Sequence, residues 1–160
     1  MGKSSGIVTL RFTSRWPYNP MSLAIATFTG SKFFSHVVSI IGDRAYEASM
    51  THGCRACSVD QVMDGVVRYR DMHIEVPDID AAIAFGEAQH GKPYDFAGAV
   101  GLPLLKSDDW CDDGKWWCSE VVFAQLMAGG VNVLDPDEVH RVTPNDLFQC
   151  FYPKSELMRA

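Results

Sequence analysis

The sequence predicts an α+β domain, on three observations. Segments with a period of two and segments with helical spacing occur together in a chain of 160 residues. They follow one another without the regular alternation of a parallel βαβ repeat. No internal repeat and no Pro/Gly/Ser tract divides them, so residues 1–160 are expected to fold around one core as a single domain.

Gly6 to Thr13 alternates Val8, Leu10 and Phe12 with Ile7, Thr9 and Arg11, the pattern of a strand with one buried face. Asn19 before Pro20 is a helix start, with a cap residue ahead of a proline at the first helical position, and Gly30 is its stop. Phe33 to Ile41 is apolar and β-branched, Gly42-Asp43 is a two-residue turn, and Arg44 to Met50 returns, which predicts a hairpin. Ser58 and Gln61 have the spacing of a capping box opening a short helix that Gly65 ends. Val66 to Val76 reads as a long strand, and Asp78 caps a helix from Ile79 to Gln89. Lys92 to Phe96 is a turn entering a further helical segment. Val121, Val122, Gln125 and Leu126 lie at helical spacing in a run from Trp117 to Ala128, closed by Gly129-Gly130. Val131 to Leu134 is expected as a short strand, and Thr143-Pro144 opens a helix through Phe148.

Composition narrows the function classes. Hydrophobic residues make up 47% and charged residues 21%, which is globular composition and argues against disorder. A net charge of −6 makes a nucleic-acid backbone a poor partner, because phosphate binding needs clustered Lys and Arg. No stretch reaches the roughly 20 apolar residues that span a bilayer, and no apolar segment follows the N-terminus as in a signal peptide. The expected location is cytoplasmic, without stable membrane insertion. Five cysteines at irregular spacing do not suggest a secreted disulfide framework, so each is expected as a free thiol.

Cys118 stands where a helix begins, and there the unpaired backbone N–H groups and the helix dipole stabilise an anion. The same groups could hold the negative oxygen of a tetrahedral intermediate. Taken alone, a cysteine there is more commonly a buried structural residue. His36 is the candidate base, since it interrupts an otherwise apolar strand. A Gly42-Asp43 turn pairs Ile41 with Arg44, Val38 with Glu47 and His36 with Ser49, which sets Glu47 diagonally across from His36 at about 7 Å between backbones. A carboxylate there orients the imidazole and stabilises its cation, and thiol, imidazole and carboxylate together make a nucleophile. A bulge in the hairpin would turn Glu47 to the other face.

The set Ser35-His36-Val37, Tyr46-Glu47, Gly91-Lys92-Pro93-Tyr94-Asp95-Phe96, Trp117-Cys118-Ser119-Glu120-Val121-Val122 and Val142-Thr143-Pro144 with Asp146-Leu147 resembles the circularly permuted NlpC-type papain-like hydrolases, the YiiX-like family. These motifs span most of the chain and fall in the family's order, histidine before cysteine. The resemblance implies a papain-like fold in which the nucleophile's helix packs on an antiparallel barrel-like sheet. It further implies Cys118 as nucleophile, His36 as base and Glu47 as the orienting carboxylate. Tyr94 matches the tyrosine of the family's Gly-x-Pro-Tyr-Asp motif and is expected, with Trp117, to line the substrate pocket, although either could equally serve packing. Trp117-Cys118-Ser119-Glu120 departs from the Asn-Cys-Glu-His signature of the lecithin:retinol acyltransferase-like branch. The opening strand also lacks the acidic residue expected near its start.

Other features are weighed below these. His52, Cys54 and Cys57 have the spacing of half a zinc site in a loop, but a closed site needs four ligands, so no metal or other cofactor is expected. Asp108, Asp109, Asp112 and Asp113 are read as a solvated acidic loop, and His73, His90 and His140 as structural or exposed. Trp110 and Trp116 suit either a pocket wall or the core. The expected function is a cysteine hydrolase cleaving an amide or ester through an acyl-thioenzyme, on a cell-wall-type peptide or an acylated amide or ester. The alternative is a non-catalytic binding module that keeps the fold. Oligomeric state is not legible.

Overall fold

The computed structural model describes residues 3–15, 34–96, 114–135 and 142–157, with 153–157 as backbone alone. Within them lie β1 (Gly6–Ser14), β2 (His36–Ile41), β3 (Arg44–Ser49), β4 (Gly53–Ser58), α1 (Val59–Met63), β5 (Arg68–Val76), α2 (Ile79–Ala88), α3 (Cys118–Ala128) and α4 (Pro144–Leu157). The architecture is α+β: one antiparallel sheet of order β4-β3-β2-β1-β5 with helices packed on it. The expected helix from Asn19 to Gly30, the acidic loop with Trp110, the helical segment beyond Phe96, and His140 lie outside the described residues.

Alternation along β1 does what the sequence predicts. Val8, Leu10 and Phe12 are fully buried and meet Val37, Met72, Ile74 and Val76 on one face. Thr9 and Arg11 point the other way, where Thr9 Oγ1 bonds His73 Nδ1 at 2.9 Å and Arg11 bonds Asp71 through two N–H groups at 2.8 and 2.7 Å. The core face carries α3, in contact with β2, β3, α2 and α4. A helix apolar on several sides belongs inside a core, and Val121, Val122, Phe123, Gln125 and Leu126 are all buried. Gln125 ties it in place: Ser39 on β2 donates to its side-chain oxygen, and its amide donates to the Ala82 carbonyl at 3.0 Å. The opposite face holds a smaller cluster, Val38, Ile40 and Ala45 under Val62 of α1.

Several local signals act as predicted. Gly42 takes φ 62° in the two-residue turn between Ile41 and Arg44, a conformation that costs glycine nothing. Gln61 Oε1 accepts from the Ser58 N–H at 3.1 Å, and Asp78 Oδ1 from the Ala81 N–H at 3.0 Å.

Three expectations are corrected. Residues Gly53–Ser58, read as a loop, form β4, because β3 pairs along its length on one side while Cys54 N–H donates to Lys92 O at 2.8 Å on the other. Val131 to Leu134 is no strand: the Val131 N–H donates to Leu126 O at 2.9 Å, closing α3, and its side chains pack irregularly on the core. The last helix continues past Phe148 to Leu157, since Phe151 is fully buried and Phe148 and Tyr152 stack at 5.4 Å. Among the described residues the five-stranded sheet ends at β4 on one side and β5 on the other. No helix among the described residues is long and apolar enough to cross a membrane.

Candidate active site

His36 is the first residue of β2 and Glu47 sits within β3. Their hairpin pairs Ile41 with Arg44, Ile40 with Ala45 and Ser39 with Tyr46, the register the turn predicts. The ladder then stops short of the expected Val38–Glu47 and His36–Ser49 pairs, because β2 stays with β1 to Thr13↔His36 while β3 stays with β4 to Ser49↔Gly53. A side-chain bond takes over where the backbone bonds end: His36 Nε2 and Glu47 Oε2 are 2.7 Å apart. With Nε2 engaged by the carboxylate, Nδ1 is the ring nitrogen left for another partner.

Cys118 is the second group that hydrogen-bonds the ring. It opens α3 behind Trp117, whose extended backbone (φ −104°, ψ 171°) forms the helix cap and whose N–H donates to Glu120 Oε2 at 3.3 Å. Burial is the largest influence on His36 and by itself would lower its pKa. Hydrogen bonding with Cys118 and with Glu47, and then the charges of both, outweigh it and raise the imidazole to about 10 from an ordinary 6.5. Glu47 and Cys118 together therefore favour the charged form of the ring. For Glu47, burial is again the largest influence and opposes ionisation, yet bonding and charge from His36 and then Arg55 bring it down to about 2.

Glu47 has a second partner that the sequence reading did not name. Its Oε1 accepts from Arg55 Nε at 2.7 Å and lies 2.6 Å from Arg55 Nη2. Arg55 is the direct cross-strand neighbour of Glu47 on β4, so a segment read as a loop concealed it. Side-chain exposure is 2% for Glu47 and 16% for Arg55, so both charges sit largely out of water.

The remaining expected residues divide. Tyr94 packs against the core, and burial, followed by the charges of Cys118, Asp95 and Glu120, raises its pKa far above the usual tyrosine range. It is a neutral hydroxyl near Cys118. Trp117 is only 2% exposed, so its ring offers a substrate little surface and serves packing. Its neighbour Trp116 donates from Nε1 to Gln89 Oε1 at 3.0 Å, and the Asp95 N–H donates to Trp116 O at 2.9 Å, which fixes the chain entering Cys118 against the Tyr94 segment.

Cys54 and Cys57, three apart on a strand, face opposite sides: Cys54 packs in the main core and Cys57 against the smaller cluster. They cannot share one ion, and burial pushes the Cys54 thiol up to about 11. Among the described residues no three His, Cys, Asp or Glu side chains are placed to hold a metal. His90 Nδ1 accepts from the Ala56 N–H at 3.2 Å and so covers the β4 edge.

Compared with known proteins, the sequence matches no family model and no curated protein at a significant level.

Proposed function

We propose that this chain is a cysteine hydrolase of the permuted NlpC-type papain-like kind, cleaving an amide or ester through an acyl-thioenzyme. The observation that carries the reading is the convergence on His36 of Glu47 at Nε2 and Cys118 as the other group holding it charged. A cysteine at a helix N-terminus with an imidazole as its base has the arrangement that attacks a carbonyl. The sulfur of Cys118 adds to the carbonyl carbon, and N–H groups at the start of α3 bind the oxygen as it becomes negative. His36 then gives its proton to the leaving amine or alcohol, and later takes one from the water that releases the acyl group. Glu47 stabilises the cation throughout without taking the proton. The substrate class that suits this chemistry is a cell-wall-type peptide amide or an acylated amide or ester, with Tyr94 lining the site.

One observation favours the other reading, a binding module that keeps the fold: Cys118 is only 2% exposed. Wild type and Cys118→Ala, screened side by side on peptide amides and acyl esters and labelled with iodoacetamide at neutral pH, separate the two. The hydrolase reading expects turnover and rapid labelling at residue 118 that the variant abolishes with the fold intact. Equal turnover by both proteins, or a wild-type Cys118 that resists labelling, sinks it.

A further inference from the structure

The Glu47 carboxylate has two oxygens and, without restraint, two equivalent ways to face His36, because its terminal torsion is broad and two-fold. A cavity of about 440 Å³ opens beside it, lined by Glu47, Ser49, Thr51, His52 and Arg55 among others. Held by His36 alone, the carboxylate could turn into that space and release the imidazole. Two Arg55 nitrogens converge on Oε1, 2.7 and 2.6 Å away, and so leave Oε2 as the oxygen offered to His36. Strand pairing supports the clamp, since Glu47 and Arg55 are register partners in β3 and β4.

We propose that Arg55 is a positioning residue of the candidate site: through Glu47 it sets the orientation of the His36 ring and thereby the reactivity of Cys118. The proposal rests on the hydrolase reading. Arg55 touches neither the sulfur nor a bond that reacts. When the thiolate forms, Arg55, Glu47, His36 and Cys118 alternate in sign along one line of contacts, and removal of the arginine leaves that line with an unbalanced negative charge. An exposed pair would contribute little. This one lies largely out of water, at 16% and 2% side-chain exposure, where each charge needs its partner.

The test compares wild type, Arg55→Ala, Arg55→Lys and His36→Ala by the rate of iodoacetamide labelling at Cys118, read by peptide mass spectrometry, and by the nitrogen-bound proton signal of the His36 ring. Cys54, whose thiol burial pushes up to about 11, is the slow internal reference in any variant that remains folded. Arg55→Ala is expected to slow labelling about tenfold, the effect of a pair weakened by one pKa unit, and to broaden the His36 signal. Arg55→Lys, which keeps the charge but not the fork, recovers part of the rate. Millimolar methylguanidinium, entering through the cavity, restores Arg55→Ala and leaves wild type unchanged. A folded Arg55→Ala protein labelled at the wild-type rate overturns the proposal. So does slow labelling that neither lysine nor methylguanidinium relieves, which would assign Arg55 to packing alone. If wild-type Cys118 reacts no faster than Cys150 and is indifferent to His36→Ala, the hydrolase reading falls and this one with it.

Discussion

Replacing Glu47 with Gln removes the negative charge held between His36 and Arg55 while keeping the side chain's shape. The folded protein lowers the Glu47 carboxyl from an ordinary 4.5 to about 2, against the opposing effect of burial. At about 1.4 kcal/mol for each tenfold change, that displacement corresponds to about 3 kcal/mol in favour of the ionised, folded state. A depressed carboxyl contributes stability that is present above its unfolded pKa and lost as pH falls through about 2. His36 runs the opposite way: raised from 6.5 to about 10, it contributes stability that is full below 6.5 and lost as pH rises through 10. The His36–Glu47 bond is common to both, so it is counted once, and its contribution is full between about pH 4.5 and 6.5. Urea denaturation of wild type and Glu47→Gln near pH 6 is expected to show a loss of about 3 kcal/mol that narrows as both proteins are taken toward about pH 2. An NMR titration of His36 should show its midpoint falling in the variant. Equal stability of the two proteins near pH 6, or a difference that does not narrow in acid, would refute the linkage argument.

Two further substitutions probe how the frame holds the site. Gly53 has φ 65°, and a Cβ there would lie 2.5 Å from Lys92 O, so Gly53→Ala is expected to cost about 1–3 kcal/mol in chemical denaturation and to detach the Lys92 segment from β4. A wild-type midpoint for that variant would mean that the contact yields freely. Leu126→Ala empties a fully buried position on α3 and is expected to lose about 2–5 kcal/mol by the same assay, with a smaller loss indicating that the core collapses into the space.

What could be read along the chain is what each stretch encodes for itself. The alternation of Val8, Leu10 and Phe12 identifies the inward face of β1 because side-chain direction in a strand has a period of two. Gly42-Asp43 sets the hairpin register through turn geometry, and that register, though its ladder ends at Ser39 and Tyr46, brings His36 and Glu47 within reach. Asp78 and the Gly129-Gly130 pair mark helix ends through their own backbone chemistry. Helix start, interrupted strand and turn register make Cys118, His36 and Glu47 candidates one by one, and the family resemblance is what groups them as a site.

Other features depend on a partner distant in the chain, and local pattern carries no signal for them. Residues 53–58 hold glycine and alanine, weak strand formers, and become β4 because β3 on one side and Lys92 on the other satisfy their backbone. Arg55 stayed hidden as the clamp on Glu47 for that reason, since its role exists only once β3 and β4 align. The burial of Phe151, not propensity, carries α4 beyond Phe148. The sequence by itself determined the strand faces, the hairpin and the helix starts, because a few neighbouring residues specify those geometries. Only the tertiary structure decided which charges share a carboxylate and how little of Cys118 meets water, because both depend on packing between segments far apart in the chain.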